Sequence, residues 1–207
     1  MEIKKFRHAC LQLTKDNVSL VIDPGGWSTD FEPNNHTIGI IITHEHFDHL
    51  DVQRIKQVIG RNPKLSVFAH VDVIAQLDGI ESVVKLPVHP NHQLSHGPFL
   101  LRFTGGDHAR MFPDTPICAN LGVVVNEGEL YYPGDSFALP DCTVETLPFP
   151  TSAPWRKTAE AMNFIQAVKP KTCFPTHNAL LSPEGQQLAD AWLAKAASSV
   201  GTEYKIL

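Results

Sequence analysis

The sequence predicts an α+β protein: two β-sheets packed on one another with helices on the outside. Three observations carry this. A strand-rich half with helices is followed by a second strand-rich half with helices. The segment HTIGIIIT, residues 36–43, is continuously apolar and β-branched, as in a strand buried on both faces. The length, 207 residues with 43% hydrophobic and 19% charged content, suits one domain, residues 1–207, with a sizeable core.

In order, EIKKFR, CLQLTK and VSLVIDPGG read as strands, with KDN as the hairpin turn between the second and third. HTIGIIIT is the buried strand. LDVQRIKQVIG is helical, since Val52, Ile55 and Ile59 fall at helical spacing and Gly60 is placed to stop it. LSVFAH is a short strand and VDVIAQLDG a short helix. SVVKLP, HQLSHG, FLLRFTG and NLGVVVNEGELYYPG read as strands, with a hairpin inside VNEGELYY. APWRKTAEAMNFIQAVKP is a helix ended by Pro170, and KTCFPT is a strand. The last helix has Ser182 as N-cap and Pro183 in its first position, and EYKIL closes the chain as a strand.

The net charge of -5 and pI of about 6.1 argue against a nucleic-acid partner. Cys10, Cys118, Cys142 and Cys173 form no CxxC pair, hence neither a zinc knuckle nor a disulfide framework. The N-terminus lacks the apolar core of a signal peptide, and no apolar run approaches the roughly 20 residues that cross a bilayer. A reduced, cytoplasmic protein acting on a small molecule, without a membrane, is the expectation.

The chemistry concentrates in IIITHEHFDHLD. Three histidines and two aspartates fall within eight residues, directly after the buried strand. A turn at a strand end can aim several side chains at one point. His44 and His46 can grip one metal ion, and Asp48 and His49, past the bend, a second. Imidazole and carboxylate donors suit Zn²⁺ best, with Mn²⁺ or Fe tolerated. Further candidates also stand just past apolar strands: His108 after LRFTGGD, Asp135 after ELYYPGD and His177 after TCFPT. Loops at one sheet edge can converge on a common site. No Gly-x-Ser-x-Gly turn offers a rival serine nucleophile.

VIDPGG, THEHFDH, GGDH, YPGDS and FPTH, in that order, resemble the metallo-β-lactamase-fold hydrolases over about residues 6–177. The resemblance implies an αββα sandwich with a dinuclear site at one edge. His44, His46 and His108 would hold one ion, Asp48, His49 and His177 the other, and Asp135 would bridge them. Asp48 would also orient the attacking hydroxide. Asp23 would support the ligands without binding metal. FRHAC and PTSAPWRK resemble the branch that includes ascorbate-phosphate lactonases, which makes His8 a further supporting partner. The zinc β-lactamases carry Cys where this chain has Asp135, which argues against a β-lactam substrate. Glyoxalase II follows the Asp-His pair with small residues, whereas Leu50 and Asp51 stand here. The implied activity is hydrolysis of a small ester, lactone or phosphate-bearing metabolite. The alternatives are a phosphodiesterase and a metal-binding regulator without turnover. For the substrate pocket, the loop with Ser152, Trp155, Arg156 and Lys157 is the candidate: hydrogen-bond donor, flat apolar wall and two cations at a helix start.

Overall fold

The computed structural model describes residues 1–207. The first sheet opens with a hairpin, β1 (Glu2–Lys5) and β2 (Leu11–Lys15), continued by β3 (Val18–Ile22). Between β2 and β3, Asp16 and Asn17 both have positive φ, 51° and 64°. This is the two-residue turn whose twist matches that of antiparallel strands, so KDN is the turn that the sequence indicates. Then β4 (Thr37–Ile42), β5 (Ser66–Ala69) and β6 (Val84–Pro87) add in parallel, giving the order β1-β2-β3-β4-β5-β6. The crossovers carry α1 (Val52–Arg61) and α2 (Val71–Gln76).

The second sheet repeats this plan. β7 (Gln93–His96), β8 (Phe99–Asp107), β9 (Ala119–Val125) and β10 (Leu130–Tyr132) are antiparallel neighbours. β11 (Thr146–Pro150), β12 (Thr172–Thr176) and β13 (Glu203–Tyr204) follow in parallel, joined by α3 (Thr158–Val168) and α4 (Pro183–Ser198).

Apolar side chains of the two facing sheets fill the centre, including Leu20, Ile22, Ile41 and Phe68 against Phe103, Val123, Tyr132 and Phe174. The other face of the first sheet, with Val21, Ile40 and Val67, packs on Ile55, Val58 and Val73 of α1 and α2. The other face of the second, with Tyr131, Leu147 and Phe149, packs on Ala161, Phe164 and Leu193 of α3 and α4. The order of layers is therefore αββα. In β4, Ile40 and Ile42 serve the helical layer while Ile41 serves the centre, which is why that strand has no polar face.

Four details differ from the sequence reading. β11 is a strand that the sequence conceals, because Pro148 and Pro150 read as breakers. Thr151 N–H donates to Thr176 O at 3.0 Å, so amides at odd positions face β12. The two prolines, at even positions, therefore face β10, which pairs with β11 only at Leu130–Thr146. No ladder bond is lost there. Second, Gly60 lies inside α1, which runs on to Arg61, and the N–H of the C-cap Asn62 still bonds Val58 O and Ile59 O. Third, α3 begins at Thr158, with Lys157 as N-cap, leaving Ala153–Arg156 as loop. The closing strand is limited to Glu203–Tyr204.

Candidate metal centre

The parallel strands of both sheets end at one edge, and the loops leaving them carry the candidate residues. β3 leads to Asp23, β4 to His44–His49, β10 to Asp135, β11 to Ser152–Trp155 and β12 to His177; antiparallel β8 supplies His108 and the β1–β2 loop His8. Two of these residues sit at positive φ without being glycine, Asp23 at 48° and His177 at 58°. Such backbone is held only where surrounding contacts over-determine it, and it gathers at functional sites. Gly134, at φ 63°, is obligatory: a Cβ there would lie 2.4 Å from Asn120 Oδ1.

The decisive feature is how the imidazoles are anchored. His49 Nδ1 donates to Asp23 Oδ2 at 2.7 Å. Thr43 Oγ1 donates to the same oxygen at 2.7 Å and lies 3.0 Å from His44 Nδ1, from which it accepts. Asp23 Oδ1 accepts the Thr43 backbone N–H at 2.8 Å. His108 Nδ1 donates to Ala109 O at 2.6 Å, and His177 Nδ1 to Ser152 O. Each Nδ1 thus carries a proton, which leaves Nε2 as the atom that each ring turns to the cluster. The Nε2 atoms of His44, His49, His108 and His177 are buried without a hydrogen-bond partner, as is Asp135 Oδ1. Buried polar atoms are almost always paired, and five orphans in one place mark a cluster built to bind something. His46 is the exposed member, with its ring 4.7 Å from His44 and 4.6 Å from His108.

The ligand atoms fall into groups, His44 with His46 and His108, and Asp48 with His49, His177 and His8. Asp135 stands between them. Its Oδ1 is 3.3 Å from His49 Nε2, and its Oδ2 is 3.4 Å from His108 Nε2 and 3.1 Å from His177 Nε2. A third group joins His44, His49 and Asp135.

Asp48 and Asp135 pair only with histidines; no lysine or arginine bridges to them. Burial raises the pKa of both, but the histidines outweigh it and hold both carboxyls ionised, far below their ordinary range: His177 and His8 for Asp48, His49 and His177 for Asp135. Conversely, burial opposes charge on His177 and His49, yet Asp135 first of all lifts His177 to about 9 and His49 well above its usual value. The place favours positive charge. A divalent ion supplies that charge and releases the imidazole protons. The orphaned Nε2 atoms and the ionised carboxylates therefore fit a metal.

His8 has the opposite tautomer. Its Nδ1 accepts Ala179 N–H at 3.3 Å, so its Nε2 donates to Asp48 Oδ2 at 3.1 Å. Burial pushes its pKa down to about 4, which keeps it neutral. It holds a carboxylate where the other histidines offer a lone pair.

The expected pocket loop divides. Trp155 donates its indole N–H to Asp135 Oδ2 at 3.2 Å and packs edge-on against His108. Ser152 meets the cluster through its carbonyl, not its hydroxyl. Arg156 lines a different cavity, between α3 and α4, and Lys157 is an exposed N-cap; neither makes a polar contact with the cluster. The cavity beside His46 and His108, about 170 Å³, is instead lined by Glu45, Arg110, Met111, Ile117 and Cys118. Thr43 and Asn120 serve the site as well, beyond the residues expected from the sequence. Asn120 accepts Asp135 N–H at 2.9 Å and donates to Pro133 O at 2.9 Å, which fixes the Asp135 loop. Thr43 directly precedes His44 in THEHFDH, which signals an anchor; Asn120, in β9, carries no such signal.

Protein Rv0786c of Mycobacterium tuberculosis is 30% identical to this chain over 211 residues, spanning 100% of this chain and 96% of that protein. The UPF0173 metal-dependent hydrolase SSO0099 of Saccharolobus solfataricus is 34% identical over 83 residues, 37% of this chain and 35% of that protein. Igni18, a metallo hydrolase of Ignicoccus hospitalis, shares the fold with a TM-score of 0.75 at 15% identity, over 99% of this chain and 94% of that one. Residues 2–177 match the beta-lactamase superfamily domain. Since that match runs from the first strand through the last histidine of the cluster, the chain belongs to the beta-lactamase superfamily.

Proposed function

We propose that this protein is a metal-dependent hydrolase of a small ester, lactone or phosphate-bearing metabolite, working with two divalent ions. The observation that carries the reading is the set of four imidazoles with anchored Nδ1–H groups and unpartnered Nε2 atoms around Asp135. The donor set is nitrogen and carboxylate oxygen, which favours zinc, with manganese or iron as alternatives. His44, His46 and His108 would hold one ion, Asp48, His49 and His177 the other, and Asp135 would bridge. When bound, the ions lower the pKa of water towards 7 and polarise the group under attack.

The chain itself does the orienting. Asp23 fixes His49 directly and His44 through Thr43. Trp155 fixes one oxygen of Asp135 and leaves the other towards His49. His8 donates to Asp48 and frees that carboxylate's remaining lone pairs to orient the nucleophile. The adjoining cavity, about 170 Å³, supports a small substrate over a polymer. The contact of His8 with Asp48 supports placing the chain with the lactonase-like branch.

Elemental analysis of zinc- or manganese-loaded protein should give two ions per chain. The loaded protein should then hydrolyse at least one of a lactone, an aryl ester and bis-p-nitrophenyl phosphate, which also separates the ester and phosphodiester readings. One ion or fewer with all seven ligands intact would sink the dinuclear reading, and full loading without turnover on a broad panel would favour a regulator.

A further inference from the structure

A second cavity, about 430 Å³, lies between α3 and α4, lined by Arg156, Thr158, Met162, Leu181, Leu188 and Trp192 among others. This is within the size range of small-molecule sites. Most of the wall is apolar. Leu188 is 64% exposed and Trp192 49% exposed, a large apolar surface for neighbouring positions on one helix.

The polar feature is the Arg156 guanidinium. Its Nε and Nη1 are buried and have no hydrogen-bond partner, and no ion pair engages it. Burial draws its pKa down, and only Glu160 acts against that, through space. The Glu160 carboxylate is already engaged, accepting the Lys157 backbone N–H at 2.6 Å. Arg156 is only partly buried, but donors shut away from water without a partner are costly, and a bound anion relieves the cost. Thr158 and Gly185 bring the first turns of α3 and α4 to the same cavity, and their partial positive charge adds to the field. The exposed carboxylate of Glu184 and the ammonium of Lys157 flank these turns.

We infer that this cavity binds an amphipathic monocarboxylate, its head group paired with Arg156 and its apolar part against Met162, Leu181, Leu188 and Trp192. One guanidinium matches one charge; a dianionic phosphate would be left half neutralised. The site is separate from the metal cluster, and the inference does not rest on the hydrolytic reading. The two are linked through the backbone: Arg156 follows Trp155, which holds Asp135, and Leu181 lies in the loop leaving His177.

Calorimetric titration of the metal-loaded full chain with 4-phenylbutyrate, and with its uncharged amide, tests this. Indole ¹⁵N–H resonances report whether Trp192 senses the ligand. The acid should bind once per chain, at least about ten-fold more tightly than the amide, and shift the Trp192 resonance. Arg156→Gln should abolish the preference for the acid. Leu188→Glu, on an exposed position that leaves folding undisturbed, should weaken acid and amide alike by crowding the wall, and the acid further by repulsion. Equal affinity for acid and amide, a preference that survives Arg156→Gln, a shift at Trp155 without one at Trp192, or no binding of the acid at about 10 mM would each overturn the inference.

Discussion

The two layers furnish the metal cluster in different ways. The first sheet supplies His44, His46, Asp48 and His49 on one continuous turn after β4, and a single carboxylate, Asp23, braces it through Thr43 and His49. The second sheet supplies His108, Asp135 and His177 from three separate strand ends, each held by its own partner: a backbone carbonyl for the two histidines, and Asn120 and Trp155 for the aspartate. A contiguous set can be oriented by one hub. A dispersed set needs one anchor per member, because nothing but the sheet joins them.

Asp135 is the second-layer residue that faces both groups. Under the two-ion proposal, Asp135→Ala should lower the affinity for both ions by more than about 100-fold, beyond the usual cost of losing a mere supporting contact, as read by metal titration. His108→Ala should empty mainly the first place and His177→Ala the second. Full occupancy in Asp135→Ala would contradict the bridging position.

Next is the hub. Asp23→Ala removes three hydrogen bonds at once, so metal affinity should fall about 10- to 100-fold. Stability should fall too, as the buried Thr43 amide loses its acceptor. Loss confined to the group containing His49, with His44 unaffected, would show that Thr43 does not relay the restraint.

His8 gives a pH signature. Its folded pKa of about 4 lies below the ordinary 6.5. As pH falls below 6.5 the unfolded chain takes up the proton first, so stability drops between pH 6.5 and 4 and is unaffected by this group above that window. His8→Gln keeps a donor for Asp48 and removes the titration. The difference between the two stability curves in denaturant should widen in the variant's favour across the window and stay flat above it; a flat difference throughout would mean that His8 is not kept neutral.

The smallest effect concerns α1, which follows the motif. Gly60 sits in the last turn of α1 with nothing within 4 Å of an added Cβ. Gly60→Ala should stabilise the protein by about 0.5–1 kcal/mol and leave metal affinity alone, since the turn, not the helix, holds the ligands. A change in affinity would put α1 into the restraint.

The same contrast explains what could be read from the chain. Periodicity marked β4, α1 and α4, since burial on both faces, a three-to-four spacing and a Ser-Pro start are local facts. The motif after β4 was legible because its donors are consecutive. β11 was not, because whether Pro148 and Pro150 are tolerated depends on which neighbour their missing amides would have faced. Asn120 was not, because a mid-strand asparagine acquires its role only from the loop that folds over it.

The sequence by itself determined the layer plan and the order of the residues that gather at the sheet edge. Hydrophobic patterning and residue chemistry are properties of short segments, and these survive without knowledge of the fold. Only the tertiary structure decided which nitrogen of each histidine is free, since that depends on the acceptor opposite the other nitrogen. It also set Trp155 on Asp135 and turned Arg156 to the α3–α4 cavity. Adjacent residues in a loop face different directions, and only the packing around them fixes which surface each one meets.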